Sequence, residues 1–167
     1  MYVFGHLGLG YLLVKPWWKR LPLRSFFVGC LFPDLLDKPV YYIWSAYSGL
    51  RGAEAGLISG TRTFGHTLLV LVLFLALAAW QRSRRALAFC AGMGTHLLLD
   101  NFADLVTGGS NSNFAALLWP YPNGNFPVIP YANLATQLAR WGDSQFLFFE
   151  LCGILVLAYM AYTLKRA

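Results

Sequence analysis

Residues 92–104, GMGTHLLLDNFAD, lie inside an apolar segment that runs from about residue 86 to 106 and is long enough to cross a bilayer. Read as a helix, His96, Asp100 and Asp104 follow one another at i, i+4 and i+8 and therefore share one face. A charged side chain in the middle of a membrane helix costs about 2.5 to 3.5 kcal/mol. A bound metal cation is the most economical way to neutralise this face, because histidine and carboxylate one turn apart can ligate the same ion.

The composition is that of a membrane protein. Of the 167 residues, 57% are hydrophobic and only 12% are charged, whereas soluble domains carry about 25% charged residues. The net charge of +6 does not indicate a nucleic-acid-binding protein, because the basic residues fall in short clusters between apolar runs. We therefore expect an all-α integral membrane protein with one membrane-embedded domain over residues 1–167, membrane lipids as partners and no nucleic acid.

Five apolar segments predict a compact bundle of about five transmembrane or re-entrant helices. They are residues 1–14, 25–48, 64–80, 86–106 and 146–164. The second segment contains PDLLDKP, in which Pro33 and Pro39 lack backbone donors. We therefore expect the second helix to be broken or kinked around Asp34 and Asp37.

Residues 107–144 form a long polar connection rich in Gly, Asn and Pro. Within it, Leu134, Leu138 and Trp141 have the spacing of a short interfacial helix. Placing residues 15–24, residues 81–85 and the C-terminus in the cytoplasm puts nine of the thirteen Lys and Arg residues there. The sequence thus predicts a multi-pass protein of the inner, cytoplasmic membrane, with the long loop and the active site toward the extracytoplasmic side.

The polar residues of the apolar segments predict a metal site. Four aspartates in such segments would cost on the order of 10 kcal/mol if nothing neutralised them, and no comparable set of intramembrane Lys or Arg is present. Taken singly, each histidine is equally well a hydrogen-bonded packing residue. Mixed His and Asp ligation suits zinc, with manganese or iron as alternatives, and the number of ligands would support a dinuclear site. The predicted ligands are most of His6, Asp34, Asp37, His66, His96 and Asp100.

Four further residues are candidates for the chemistry. Arg62, four residues before His66, is either a substrate anion clamp or an interfacial anchor. Lys38 can neutralise a neighbouring aspartate and contact substrate. Asp104 is either a proton carrier or a solvated carboxylate at the helix end, and Glu150 is a metal ligand, a general base or an arginine partner.

The order of motifs along the chain resembles a known family. GH near the start, PDLLDKP, RTFGHTLL, GTHLLLDNF and LLWPY are similar to the YdjM-like family of membrane-bound metal-dependent hydrolases, over about residues 1–121. The resemblance implies a multi-pass helical protein that performs metal-dependent hydrolysis, with a remoter similarity to zinc-dependent phospholipases C. It also implies the six metal-binding positions given above, and the family's usual arginine before its second histidine motif corresponds to Arg62.

The function expected from the sequence is an intramembrane metal-dependent hydrolase acting on a lipid-like substrate at the outer leaflet. A phosphoester is favoured over a carboxylic ester because the chain has no GxSxG motif. A metal-ion or proton transporter is the alternative, since intramembrane His and Asp also mark ion pathways. A haem-binding subunit with histidine axial ligands is less consistent with aspartates beside those histidines.

Overall fold

A computed structural model of the protein describes residues 3–18, 20–108, 112–121, 123–128 and 143–166, together with residues 135 and 139. The helices of these regions are α1 (Val3–Val14), α2 (Leu23–Ser48), α3 (Leu68–Trp80), α4 (Arg84–Thr107), α5 (Ser112–Leu117) and α6 (Ser144–Leu164). Short 3₁₀ segments occupy Lys15–Trp17, Gly52–Ile58 and Phe64–His66. The described residues contain no strand, so the expected all-α class is confirmed for this part of the chain.

The contacts between helices fix their directions. α4 is antiparallel to α1, because His6 lies beside Asp100 near one end while Gly10 faces Thr95 further along. α4 is also antiparallel to α3, since the Phe74 and Phe89 rings meet close to the connecting turn. Because of these directions, each long helix crosses the same level of the bundle once.

α2 and α4 form the most extensive helix pair and run parallel to each other. A Cβ atom added at Gly29 would lie 2.0 Å from the carbonyl oxygen of Phe89, and one added at Gly92 would lie 2.1 Å from that of Phe26. The two backbones are therefore in direct contact, as small residues permit between membrane helices. This contact brings the middle of α2 against the histidine-bearing face of α4.

α2 is one continuous helix that passes through both Pro33 and Pro39. The expected break around Asp34 and Asp37 was therefore wrong, whereas the alternative of a kink in a continuous helix stays a prediction. A proline removes one backbone donor and crowds the preceding turn, but close packing of neighbouring helices compensates for this in membrane proteins. Pro33 is buried, and the backbone at Gly65 packs closely against it. The continuous helix holds the two aspartates on a rigid element.

The membrane-crossing segments are supported only in part. α6 is the one described helix that is both long and apolar enough to cross a membrane on its own. α3 is apolar but has only 13 residues, which span about 20 Å against a hydrocarbon thickness of about 30 Å. Ala78 is the single buried residue of α3, so this helix presents an apolar surface. The predicted interfacial helix at Leu134, Leu138 and Trp141 lies outside the described residues.

α1 is fastened to α6 at its first turn. A Cβ atom at Gly8 would lie 2.2 Å from the carbonyl oxygen of Gly153, so the two backbones touch. The Glu150 carboxylate accepts hydrogen bonds from the amides of Phe4 and Gly5, both at 2.9 Å. The first amides of a helix lack partners within it and favour a negative charge. These contacts make Glu150 a cap of α1, and they give no support to the expected role in catalysis or metal binding.

We expect Glu150→Ala to lower the free energy of unfolding by about 1 to 2 kcal/mol, because two helix-terminal amides lose a charged acceptor. Glu150→Gln keeps one acceptor oxygen and should lose less. The thermal unfolding midpoint in mild detergent measures both effects. Metal content should be unchanged in both variants, and a loss of metal in Glu150→Gln would contradict a purely structural role.

Candidate metal centre

The three histidines of the chain meet although they come from different elements. His6 lies in α1, His66 in the 3₁₀ turn before α3 and His96 in α4. The His6 and His96 rings stack with centroids 3.9 Å apart, and the Nε2 atoms of His66 and His96 lie 3.3 Å from each other. All three side chains are at most 2% exposed. Two ring nitrogens that face each other at this distance need a shared proton or a cation between them.

Asp100 completes a triangle of ligand atoms with two of these histidines. Its Oδ2 atom lies 3.6 Å from His96 Nε2 and 3.8 Å from His66 Nε2, so with the 3.3 Å between the two nitrogens every side is short. A tetrahedral ion about 2.1 Å from each ligand has its ligands about 3.4 Å apart. The sequence spacing placed His96 and Asp100 on one face of a helix, and the structure confirms that they lie together.

His6 approaches the same carboxylate from α1. Its Nε2 atom lies 3.2 Å from Asp100 Oδ1, and its Nδ1 atom has no hydrogen-bond partner in the described part of the chain. A buried polar atom without a hydrogen-bond partner costs about 1 to 3 kcal/mol. Coordination to a cation would remove this cost. His6 therefore supports a metal site independently of the distances between the ligand atoms.

Two further groups of three residues, each of which shares His96 with this triangle, also bring ligand atoms close enough to hold a metal ion. In each group the ligand atoms lie within 4.8 Å of one another. Asp34 joins through its Oδ1 atom, which is 3.7 Å from His66 Nε2. The groups are His6, His96 and Asp100, and Asp34, His66 and His96.

Asp37 holds His66 in place instead of joining either group. Its Oδ2 atom lies 2.7 Å from His66 Nδ1 and accepts from the Thr63 amide at 2.7 Å, while Oδ1 accepts from the Gly65 amide at 2.9 Å. A carboxylate on the outer nitrogen of a metal-binding imidazole fixes the ring and its tautomer. We therefore revise the expectation that Asp37 is a ligand and describe it as a positioning residue.

His96 is oriented in the same way by the backbone. Its Nδ1 atom lies 2.6 Å from the carbonyl oxygen of Cys30 and donates its proton to it. Nε2 is then unprotonated and available as the single ligand atom of this histidine. The sequence gives no signal for this contact, because any residue has a carbonyl.

The cluster is least buried on the side of Asp34, Lys38 and Arg62, whose side chains are 21%, 26% and 20% exposed. Lys38 Nζ lies 2.5 Å from Asp34 Oδ2, and Arg62 Nε lies 3.6 Å from Asp100 Oδ2. Both predicted cations therefore border the histidine and aspartate cluster. An anion that reaches the cluster from this side meets two positive charges.

Comparison with known proteins agrees with the motifs. The family model described as YdjM inner membrane protein matches residues 1–167. The chain belongs to the YdjM inner membrane protein family. A search of curated proteins gives no match, and a search of solved structures gives none either. The family description makes this YdjM-family chain a membrane protein and says nothing of a substrate.

Asp104 of this YdjM-family protein lies one helical turn beyond Asp100 but belongs to neither ligand group. Its Oδ2 atom accepts from the amide of Asn113 at 3.3 Å, and the Asn113 side chain donates to the Asp100 carbonyl at 3.1 Å. The two contacts fasten α5 across the end of α4. The sequence did not single out Asn113, because it is one of several asparagines in a polar connection. The role of Asp104 as a proton carrier stays a prediction.

Proposed function

We propose that this YdjM-family protein is a metal-dependent hydrolase that cleaves a phosphoester of a lipid-like substrate. The observation that carries the proposal is the triangle of His66 Nε2, His96 Nε2 and Asp100 Oδ2, whose sides of 3.3 to 3.8 Å suit the coordination of one ion. A divalent cation in such a site supplies Lewis acidity and lowers the pKa of water. Zinc suits this ligand set best, with manganese or iron as alternatives.

The arrangement favours one ion over two. His96 belongs to both ligand groups, but its Nδ1 atom is engaged with the Cys30 carbonyl. A single Nε2 atom has one lone pair and serves one ion. Two adjacent ions would therefore have to divide the remaining ligands, which leaves at least one ion without His96.

The charges around the cluster favour a phosphate-containing substrate. Arg62 combines a partly exposed side chain with a position beside Asp100, and its guanidinium can bind two phosphate oxygens at once. Lys38, on the same side, adds a second positive charge. Membership of an inner membrane family and the apolar outer surface of α3 support a lipid-like substrate. From the positive-inside rule we expect this end of the bundle to face the outer leaflet.

Three residues around the cluster have distinct roles in the proposed reaction. Asp37 keeps the His66 ring in the orientation in which Nε2 faces the cluster. Arg62 holds the substrate phosphate against the site and balances its charge. Asp34, which is paired with Lys38 and partly exposed, either completes the ligand set or accepts a proton.

The test is hydrolysis by purified protein supplied with zinc, manganese or iron, using phospholipids and isoprenoid phosphates as substrates. We expect metal-dependent release of phosphate or of a phosphorylated head group. Arg62→Ala should raise KM about tenfold or more with metal content unchanged, because a charge-assisted contact to phosphate is lost. The KM of Arg62→Lys should lie between those of wild type and Arg62→Ala, since lysine keeps the charge but cannot bind two phosphate oxygens in the same way.

A matched pair of outcomes separates the proposal from its alternative. Bound metal with no hydrolysis of any substrate, together with metal uptake into proteoliposomes, would favour the metal-ion transporter. Equal KM values for wild type and Arg62→Ala would overturn the assignment of Arg62 to substrate binding while leaving the metal site in place.

A further inference from the structure

A second candidate site lies at the other end of α2 and α4. There a shallow, open crevice of about 360 Å³ lies between the first turns of the two helices. Its walls are Arg24, Ser25, Val28, Arg85, Ala86 and Phe89. The crevice is possible because α2 and α4 run parallel, so that their first turns lie side by side.

The crevice is separate from the metal centre. Arg24 precedes Asp34 by ten residues on α2, and Arg85 precedes His96 by eleven on α4. At 1.5 Å per residue these separations correspond to about 15 Å along each helix. A ligand head group at the crevice therefore lies roughly half a hydrocarbon thickness from the cluster.

The two arginines of the crevice have no acidic partner among the residues that the structure describes. Both are exposed. The closest acidic residue along α2 is Asp34, which is already paired with Lys38. Arg82 and Arg84 add to the positive charge of this end. The crevice therefore carries positive charge that an anion would complement.

The other residues that line the crevice are apolar. Val28, Ala86 and Phe89 are apolar side chains. Val28 is 55% exposed. A lining that combines two arginines and a serine with three apolar residues matches the change from head group to acyl chain in a phospholipid. Basic pockets between helices at the cytoplasmic surface of a membrane bind acidic lipid head groups in this manner.

We propose that this crevice, lined by Arg24, Ser25, Val28, Arg85, Ala86 and Phe89, binds an anionic phospholipid of the cytoplasmic leaflet. Arg24 and Arg85 bind the phosphate, and the first acyl carbons lie against Val28 and Phe89. The positive-inside rule assigns this end to the cytoplasm. The site is distinct from the proposed hydrolytic centre and does not depend on the hydrolase activity.

The test compares two double variants that remove the same charge. Arg24→Gln with Arg85→Gln removes the pair that lines the crevice, and Arg82→Gln with Arg84→Gln removes two nearby arginines that do not line it. Native mass spectrometry measures retention of phosphatidylglycerol or phosphatidylcholine added to protein in mild detergent. We expect wild type and the second double variant to retain phosphatidylglycerol. The first double variant should bind it roughly tenfold to thirtyfold more weakly, since each basic contact contributes about fivefold.

A third variant tests the apolar part of the lining without changing any charge. Val28→Trp fills the crevice with a larger ring at an exposed position, so it should reduce phosphatidylglycerol binding while the protein remains folded. Equal loss in both double variants would overturn the proposal, because it would indicate diffuse surface charge. Displacement of the lipid by millimolar inorganic phosphate would also overturn it, since the ligand would then be a free anion.

Discussion

His96→Ala is expected to remove at least nine tenths of the metal bound by the purified protein. His96 contributes a ligand atom to both groups that can hold an ion. The distance from its Nε2 atom to His66 Nε2 is the shortest side of the ligand triangle. Loss of an outer-shell partner already weakens metal binding by about tenfold to a hundredfold, so loss of a direct ligand should weaken it further. Elemental analysis of protein prepared in mild detergent and incubated with zinc, manganese or iron measures the effect.

The matched control is Asp104→Asn, which changes a carboxylate one turn beyond Asp100 on the same helix. Because Asp104 belongs to neither group, this variant should keep its metal. His6→Ala and Asp34→Ala each disrupt one group only, so each should retain more metal than His96→Ala. Equal metal content in His96→Ala and wild type would show that this cluster is not the metal site. The absence of metal from wild-type protein after incubation with all three ions would make the histidines a packing group.

The sequence identified the members of the cluster because polar residues in apolar segments have few ways to be stable. His6, His66 and His96 are far apart in the chain, yet each lies in an apolar setting that demands a partner. Helical periodicity then related His96 to Asp100 directly. We predicted that the remaining residues meet at one site because their charges have no other compensation. This argument requires no knowledge of the fold.

The roles of individual residues were harder to predict, because they depend on which atoms meet. Asp37 and Asp34 occur in the same PDLLDKP motif, but only the structure shows that Asp37 uses both oxygens on the turn that carries His66. Glu150 carries a carboxylate and is therefore a candidate base by sequence. Its contacts with the first amides of α1 arise from helix packing, which the sequence does not show. Sequence spacing distinguishes faces of one helix and does not distinguish a ligand from a residue that orients it.

The continuity of α2 shows the same limit in the backbone. Pro33 and Pro39 predict a break from local propensity, whereas α2 continues through both. The direct backbone contact at Gly29 and Gly92, which no local pattern reveals, supports the helix from outside. Gly94, two residues before His96, by contrast has only an ordinary contact, with the Leu71 side chain 3.8 Å away.

Asp37→Ala is expected to lower both stability and metal affinity. The variant would leave three buried donors without an acceptor, namely the Thr63 and Gly65 amides and His66 Nδ1. Each such donor costs about 1 to 3 kcal/mol, so the free energy of unfolding should fall by about 3 kcal/mol or more. The thermal unfolding midpoint of metal-free protein measures this loss apart from any effect of the metal.

Asp37→Asn separates the positioning role from the structural one. The amide oxygen still accepts one hydrogen bond, so this variant should unfold at a higher temperature than Asp37→Ala. Its NH₂ group, however, can donate to His66 Nδ1, which favours the tautomer with the proton on Nε2 and blocks the ligand atom. Metal affinity should therefore fall about tenfold to a hundredfold in a folded protein, whereas Asp104→Asn, the same chemical change outside the cluster, should leave it unchanged. Wild-type affinity in Asp37→Asn would contradict the positioning role, since the carboxylate charge would then be unnecessary for His66 to bind the ion.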